Sequence, residues 1–131
     1  MPSTLVHDSP RASSRRQVVE RVEAFLHAHL GESLPLAQLC DVAGVSERSL
    51  RNAFHDVRGM SPKRFVLHER LNEVRRALRD ADAASGTVTT IATDYGFFEL
   101  GRFAGTYKAV FGETPSATLR SGGSRELAAA S

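Results

Sequence analysis

Arg48, Arg51, Asn52 and His55 recur at spacings that gather them on one side of a helix, and each can donate hydrogen bonds. Across the same stretch Leu50, Phe54 and Val57 fall at i, i+4 and i+7, so they must face a core and turn the polar set outward. Arginine offers a bidentate fork to guanine in the major groove, and asparagine does the same for adenine. No acid stands among these side chains, which suits base reading. The plainer alternative is a solvated polar face of the kind every surface helix carries.

Other reactive constellations are missing. Cys40 could act as a nucleophile only with His55 or His68, and its place on the inward side of a short helix makes it a packing residue. His27 and His29 are two apart and face different ways. His55 sits on the donor face, while His68 reads as a surface residue. There is no phosphate-cradling glycine loop, no metal-ligand spacing and no isolated carboxylate pair. The expectation is therefore no enzyme, no cofactor and no metal. One cysteine excludes an internal disulfide and fits a reducing cytoplasm. No apolar run approaches the ~20 residues a membrane helix needs, and the first residues lack the apolar centre of a secretory signal.

Charge is distributed unevenly. Nine basic and four acidic residues lie between Gly44 and Arg79, a local excess of +5 in a chain whose total is +2. The remainder is therefore at −3. A basic middle on a near-neutral chain suits a polyanion partner, although helix faces laced with i,i+4 pairs can look the same.

The positioning elements follow from periodicity. Apolar residues recur at helical spacing almost throughout, with no alternating strand pattern and no hairpin dipeptide, so the chain is expected to be all-α with about seven helices. Val19, Val22, Leu26 and Leu30 mark a helix over 18–30. A short helix over 36–43 turns Leu36, Leu39, Cys40 and Ala43 inward. The donor helix spans 47–58, with Ser46 as its cap. Pro62 opens a long helix to about Asp80, with Leu67, Leu71, Val74 and Leu78 as its buried stripe. Val88, Ile91, Ala92 and Tyr95 define a helix capped by Thr87, a further helix covers 99–111, and a last one runs from Pro115 to about Arg120. Residues 1–16 and 121–131, rich in Ser, Pro, Arg or Gly, read as a flexible arm and tail.

The halves repeat. GVSERSLRNAFHDVRGMSP (44–62) and GFFELGRFAGTYKAVFGETP (96–115) both open on Gly, carry an aromatic, and close on Gly, Ser or Thr, and Pro. The offset is 52 residues at the opening glycines and 53 from Leu50 and Phe103 onward, so the second turn holds one extra residue. Each copy is a short helix, a turn centred on glycine, and a second helix, which is a helix-turn-helix. Val45 and Phe97, just past each glycine, are apolar plugs for the corner.

This pattern resembles the DNA-binding domain of the AraC/XylS family of bacterial transcription regulators. Leu36, Leu39, Gly44, Val45, Ser46, Arg48, Leu50, Phe54, Gly59, Ser61 and Pro62 carry the match in the first half. Ile91, Ala92, Gly96, Phe97, Phe103, Tyr107, Lys108, Phe111, Gly112, Thr114 and Pro115 carry it in the second. The resemblance covers residues 17–120 and implies a first helix-turn-helix subdomain over 17–61, a linker helix over 62–80 and a second subdomain over 81–120. It also implies two recognition helices entering successive major-groove segments, and a transcription factor, usually an activator, that touches RNA polymerase.

Carried over by position, Arg48, Arg51 and Asn52 would read bases in the first half. In the second half the same positions hold Gly101, Ala104 and Gly105, which leaves the neighbouring Arg102 as the direct reader. The family usually has polar or aromatic side chains and an arginine there. Helix N-termini and nearby donors, namely Ser46, Ser61, Lys63, Arg64, Lys108 and Thr114, would contact phosphates and fix register. Many members carry a ligand-sensing domain before this region, and a small-molecule effector would act only through such a domain. A different class of function, a helical protein–protein module, would place aromatic or aliphatic anchors where Arg48, Arg51 and Asn52 stand.

Overall fold

The computed structural model describes the backbone of residues 10–81 and 87–130, and side chains over 14–81 and 87–122. The described residues form seven helices and no strand: α1 Pro10–His29, α2 Leu36–Ala43, α3 Glu47–Arg58, α4 Pro62–Asp80, α5 Val88–Asp94, α6 Leu100–Phe111 and α7 Pro115–Ala130. The all-α expectation holds. The chain divides into two compact units, one ending at Leu67 and the next beginning at His68.

In the first unit α1, α2 and α3 pack on one another. Val18, Val19, Val22, Leu26, Leu39, Ala43, Leu50, Ala53 and Phe54 form its core, joined by Phe65 and Val66 from the first turns of α4. The Phe54 and Phe65 rings lie 5.2 Å apart in a tilted pair. Leu36, Cys40 and Val57, expected inside, are only half-buried. The short α2 covers too little of the layer to enclose its outer residues.

In the second unit α5, α6 and α7 pack together. Ile91, Ala92, Phe103 and Tyr107 are buried, with Leu71, Val74 and Leu78 of α4. Phe103 bridges Phe97 and Tyr107 at ring distances of 4.8 and 5.8 Å, and Tyr107 meets Phe111 edge-on at 4.6 Å. Arg75 of α4 lies over the Phe111 ring at 4.6 Å, a cation–π contact.

Four differences from the sequence reading have physical causes. Residues 10–16, expected as part of an unstructured arm, form the first turns of α1, with Pro10 at the helix start and Arg15 ion-paired to Asp56 of α3; residues 1–9 lie outside the described residues. The last helix continues to Ala130 rather than ending near Arg120. There Gly122 lies so close to α4 that a Cβ would fall 2.6 Å from the Arg79 carbonyl oxygen; the glycine is a packing residue. Helix α5 stops at Asp94, leaving Tyr95 as its half-exposed end. Leu67 of the expected α4 stripe is half-buried; it stands at the boundary of the two units.

Candidate nucleic-acid interface

The geometry starts at the turns. Gly44 ends α2 at φ 71°, a left-handed conformation that glycine adopts without strain, and donates to the Cys40 carbonyl at 2.7 Å. Gly96 has φ 90°, and here Gly96 N–H bonds Thr93 O at 3.0 Å while Phe97 N–H bonds Ala92 O at 2.9 Å, the paired closure of a Schellman motif. Each turn therefore fixes where the following helix begins.

Helix α3 is capped by Ser46, whose Oγ accepts the Ser49 N–H at 3.2 Å. Leu50 and Phe54 are fully buried behind it, so Arg48, Arg51, Asn52 and His55 all stand exposed, as their spacing predicts. At about 100° per residue, Arg48, Asn52 and His55 centre the outer face while Arg51 lies on its flank. Arg51 Nη2 donates to Glu47 Oε1 at 2.5 Å. This acid lies one turn before Arg51, at the i,i+4 spacing that signals such a pair in the sequence.

The basic excess is partly spent internally. Arg58 pairs with Glu23 at 2.6 Å and lies over Phe65, and Arg76 pairs with Glu73 at 3.2 Å. Arg48, Lys63 and Arg64 are exposed and have no ion pair among the described residues. Lys63 and Arg64 stand in the first turn of α4, where the Ser61 Oγ accepts the Arg64 N–H at 3.2 Å. These two cations, Arg48 and the capped starts of α3 and α4 all belong to the first unit.

The second unit presents a barer surface. Gly101, Arg102, Gly105 and Lys108 are exposed on α6, and a Cβ at Gly101 or Gly105 would meet nothing within 4 Å. The fold does not require either glycine. Arg102 Nε stands 3.5 Å from Glu99 Oε2. Thr114 caps α7, its Oγ1 accepting the Ala117 N–H at 3.1 Å. Phe98 is 74% exposed beside the start of α6.

The remaining reactive groups are quiet. Burial, helped by the Glu47 and Asp41 charges, pushes the Cys40 thiol above its usual value, which disfavours the nucleophilic thiolate. His29 is occupied by Glu32 at 2.8 Å and by stacking on Phe25. No helix among the described residues is long and apolar enough to cross a membrane.

Comparison with known proteins agrees with this arrangement. A helix-turn-helix domain family matches residues 39–121. The XylDLEGF operon transcriptional activator of Pseudomonas putida is 43% identical over 101 residues, 77% of this chain and 32% of the relative. A probable thc operon regulatory protein of Rhodococcus erythropolis is 42% identical over 103 residues, 79% of this chain and 31% of the relative. The chain thus spans about a third of the length of these curated relatives. A crystal structure of a probable AraC family transcriptional regulator from Rhodopseudomonas palustris superimposes with a TM-score of 0.73 at 36% identity, covering 80% of this chain and 96% of that one. Two glycine-centred helix-turn-helix units, matched along most of the chain and in three dimensions, place this chain in the AraC/XylS family of helix-turn-helix transcription regulators.

Proposed function

We propose that the chain binds double-stranded DNA sequence-specifically and regulates transcription, as an activator in contact with RNA polymerase in the cytoplasm. The observation that carries this reading is the exposed Arg48–Asn52–His55 stripe, backed by fully buried Leu50 and Phe54. A helix held so firmly from behind presents its outer side chains at a fixed register to the major groove.

Arg48, Arg51 and Asn52 read bases from α3, and Arg102 is the reader on α6. Ser46, Ser61, Lys63, Arg64, Lys108 and Thr114 hold phosphates. Helix N-termini supply inward-pointing N–H groups there, and the cations Lys63, Arg64 and Lys108 supply charge. With Gly101 and Gly105 bare, α6 reads less sequence than α3.

Selection of preferred sites from random duplexes, followed by affinity measurements across salt, tests the proposal. The expected outcome is one strongly informative half-site, a weaker second one, and a steep salt dependence from about 5–8 phosphate contacts. Two equally informative half-sites would overturn the assignment to α6. Salt-insensitive retention on DNA would overturn the DNA reading itself. It would favour a protein-binding module, for which exposed Phe98 and half-exposed Val110 would be the anchors.

A further inference from the structure

We propose that Glu47 is a specificity-determining positioning residue, acting through Arg51; this rests on α3 being a base-reading helix. Arg51 sits on the flank of the outer face, where a free arginine would be drawn to the nearest phosphate. Instead its Nη2 is held by Glu47 Oε1 at 2.5 Å. That bond occupies one of five guanidinium donors, and the others stay available for the two acceptors of a guanine edge. Glu47 thus holds Arg51 ready for a base while cancelling its charge toward the backbone. Both side chains are more than half exposed, at 53% and 55%, so neither is locked by packing.

A different acid–arginine pair, at i,i+3 and at non-equivalent positions, stands in the second unit. Arg102 Nε stands 3.5 Å from Glu99 Oε2, an acid one turn earlier. The exposed cations assigned to phosphates, Lys63 and Arg64, have no such acid among the described residues. Acids therefore accompany Arg51 and Arg102, and not Lys63, Arg64 or the central reader Arg48 among the described residues.

A bracing acid should move two affinities in opposite directions. In Glu47→Ala, affinity for the selected site should fall about two- to five-fold, the modest scale of an exposed ion pair. Affinity for a random duplex should rise by a similar factor, with a log–log salt slope steeper by about 0.9 for one uncovered phosphate contact. Glu47→Gln keeps an acceptor for Arg51 and loses only the charge. It should retain selected-site affinity while random-duplex affinity rises. In an Arg51→Ala background, Glu47→Ala should no longer lower selected-site affinity.

Simple damage to the helix would weaken both affinities together. That outcome, an unchanged ratio, or the same loss with and without Arg51 would overturn the proposal. A wild-type chain that binds selected and random duplexes alike would instead refute the DNA-reading function, which separates the two failures.

Discussion

The Tyr107 hydroxyl donates to Thr118 Oγ1 at 2.7 Å, a bond between α6 and α7 made by two side chains that are almost fully buried. Thr118 donates in turn to the Glu113 carboxylate, so three polar groups form one hydrogen-bonded chain in the second unit. Thr118→Val would leave the Tyr107 hydroxyl buried without its acceptor, at a cost of about 1–3 kcal/mol. Tyr107→Phe removes the donor and should cost less, about 0.5–1.5 kcal/mol. A double-mutant cycle by denaturant unfolding should give a coupling above experimental error; strict additivity would refute the hydrogen-bonded chain.

Burial pushes the Tyr107 hydroxyl above its usual value of 10.0, a rise that the Thr118 bond opposes. The folded protein therefore holds this proton more tightly than the unfolded chain does. The stabilisation is present in full below the unfolded value and is lost as pH rises through the folded one. Thermal melts of wild type and Tyr107→Phe should therefore converge above about pH 10. Parallel curves across that range would show that Tyr107 is not the group responsible.

Leu50 and Phe103 occupy matching places in the two cores, at 0% and 3% exposure. Leu50→Ala should cost about 2–5 kcal/mol and Phe103→Ala about 3–5 kcal/mol. Hydrogen exchange should show the loss concentrated over 14–67 for the first and 68–122 for the second. A uniform loss in both variants would show that the two units unfold as one.

Gly101 and Gly105 have open space around them, so alanine at either should stabilise α6 by up to about 1 kcal/mol. If the bare face lets the helix backbone approach DNA closely, the same variants should bind the selected site more weakly despite melting higher. Unchanged affinity would reduce the glycines to drift on an undemanding surface.

Gly122 makes the opposite case. Alanine there would bring a Cβ to 2.6 Å from the Arg79 carbonyl, which is backbone and cannot swing aside. Overpacking of this kind costs about 1–3 kcal/mol, read as a lower melting temperature. A neutral Gly122→Ala would show that α7 does not pack on α4 at that point.

These two glycine classes show where the sequence could and could not be read. Leu50, Phe54, Phe103 and Tyr107 announce themselves because a 3.6-residue period leaves no other face for them. The starts of α3 and α5 were equally legible, since Ser46 and Thr87 bond the third helical amide in the expected way. Gly122 looked like part of a tail because its reason for being glycine is the Arg79 backbone, 43 residues earlier in the chain. Likewise Arg15 sits in an aperiodic stretch, and its partner Asp56 lies on another helix. Exposure of the donor set could be derived, whereas the tether on Arg51 was overlooked although its spacing was in view.

The helix caps carry a consequence of their own. Ser46, Ser61 and Thr114 each hold the first turn of a helix with a neutral hydroxyl. Aspartate would cap as well and would please the helix dipole more. A search for heat-resistant variants of this chain would therefore be drawn to aspartate at these three places. Each such gain would put a negative charge where a phosphate is expected to rest. If those phosphates are bound, durability and grip on a polyanion are opposed at single atoms, and the hydroxyls are the compromise between them.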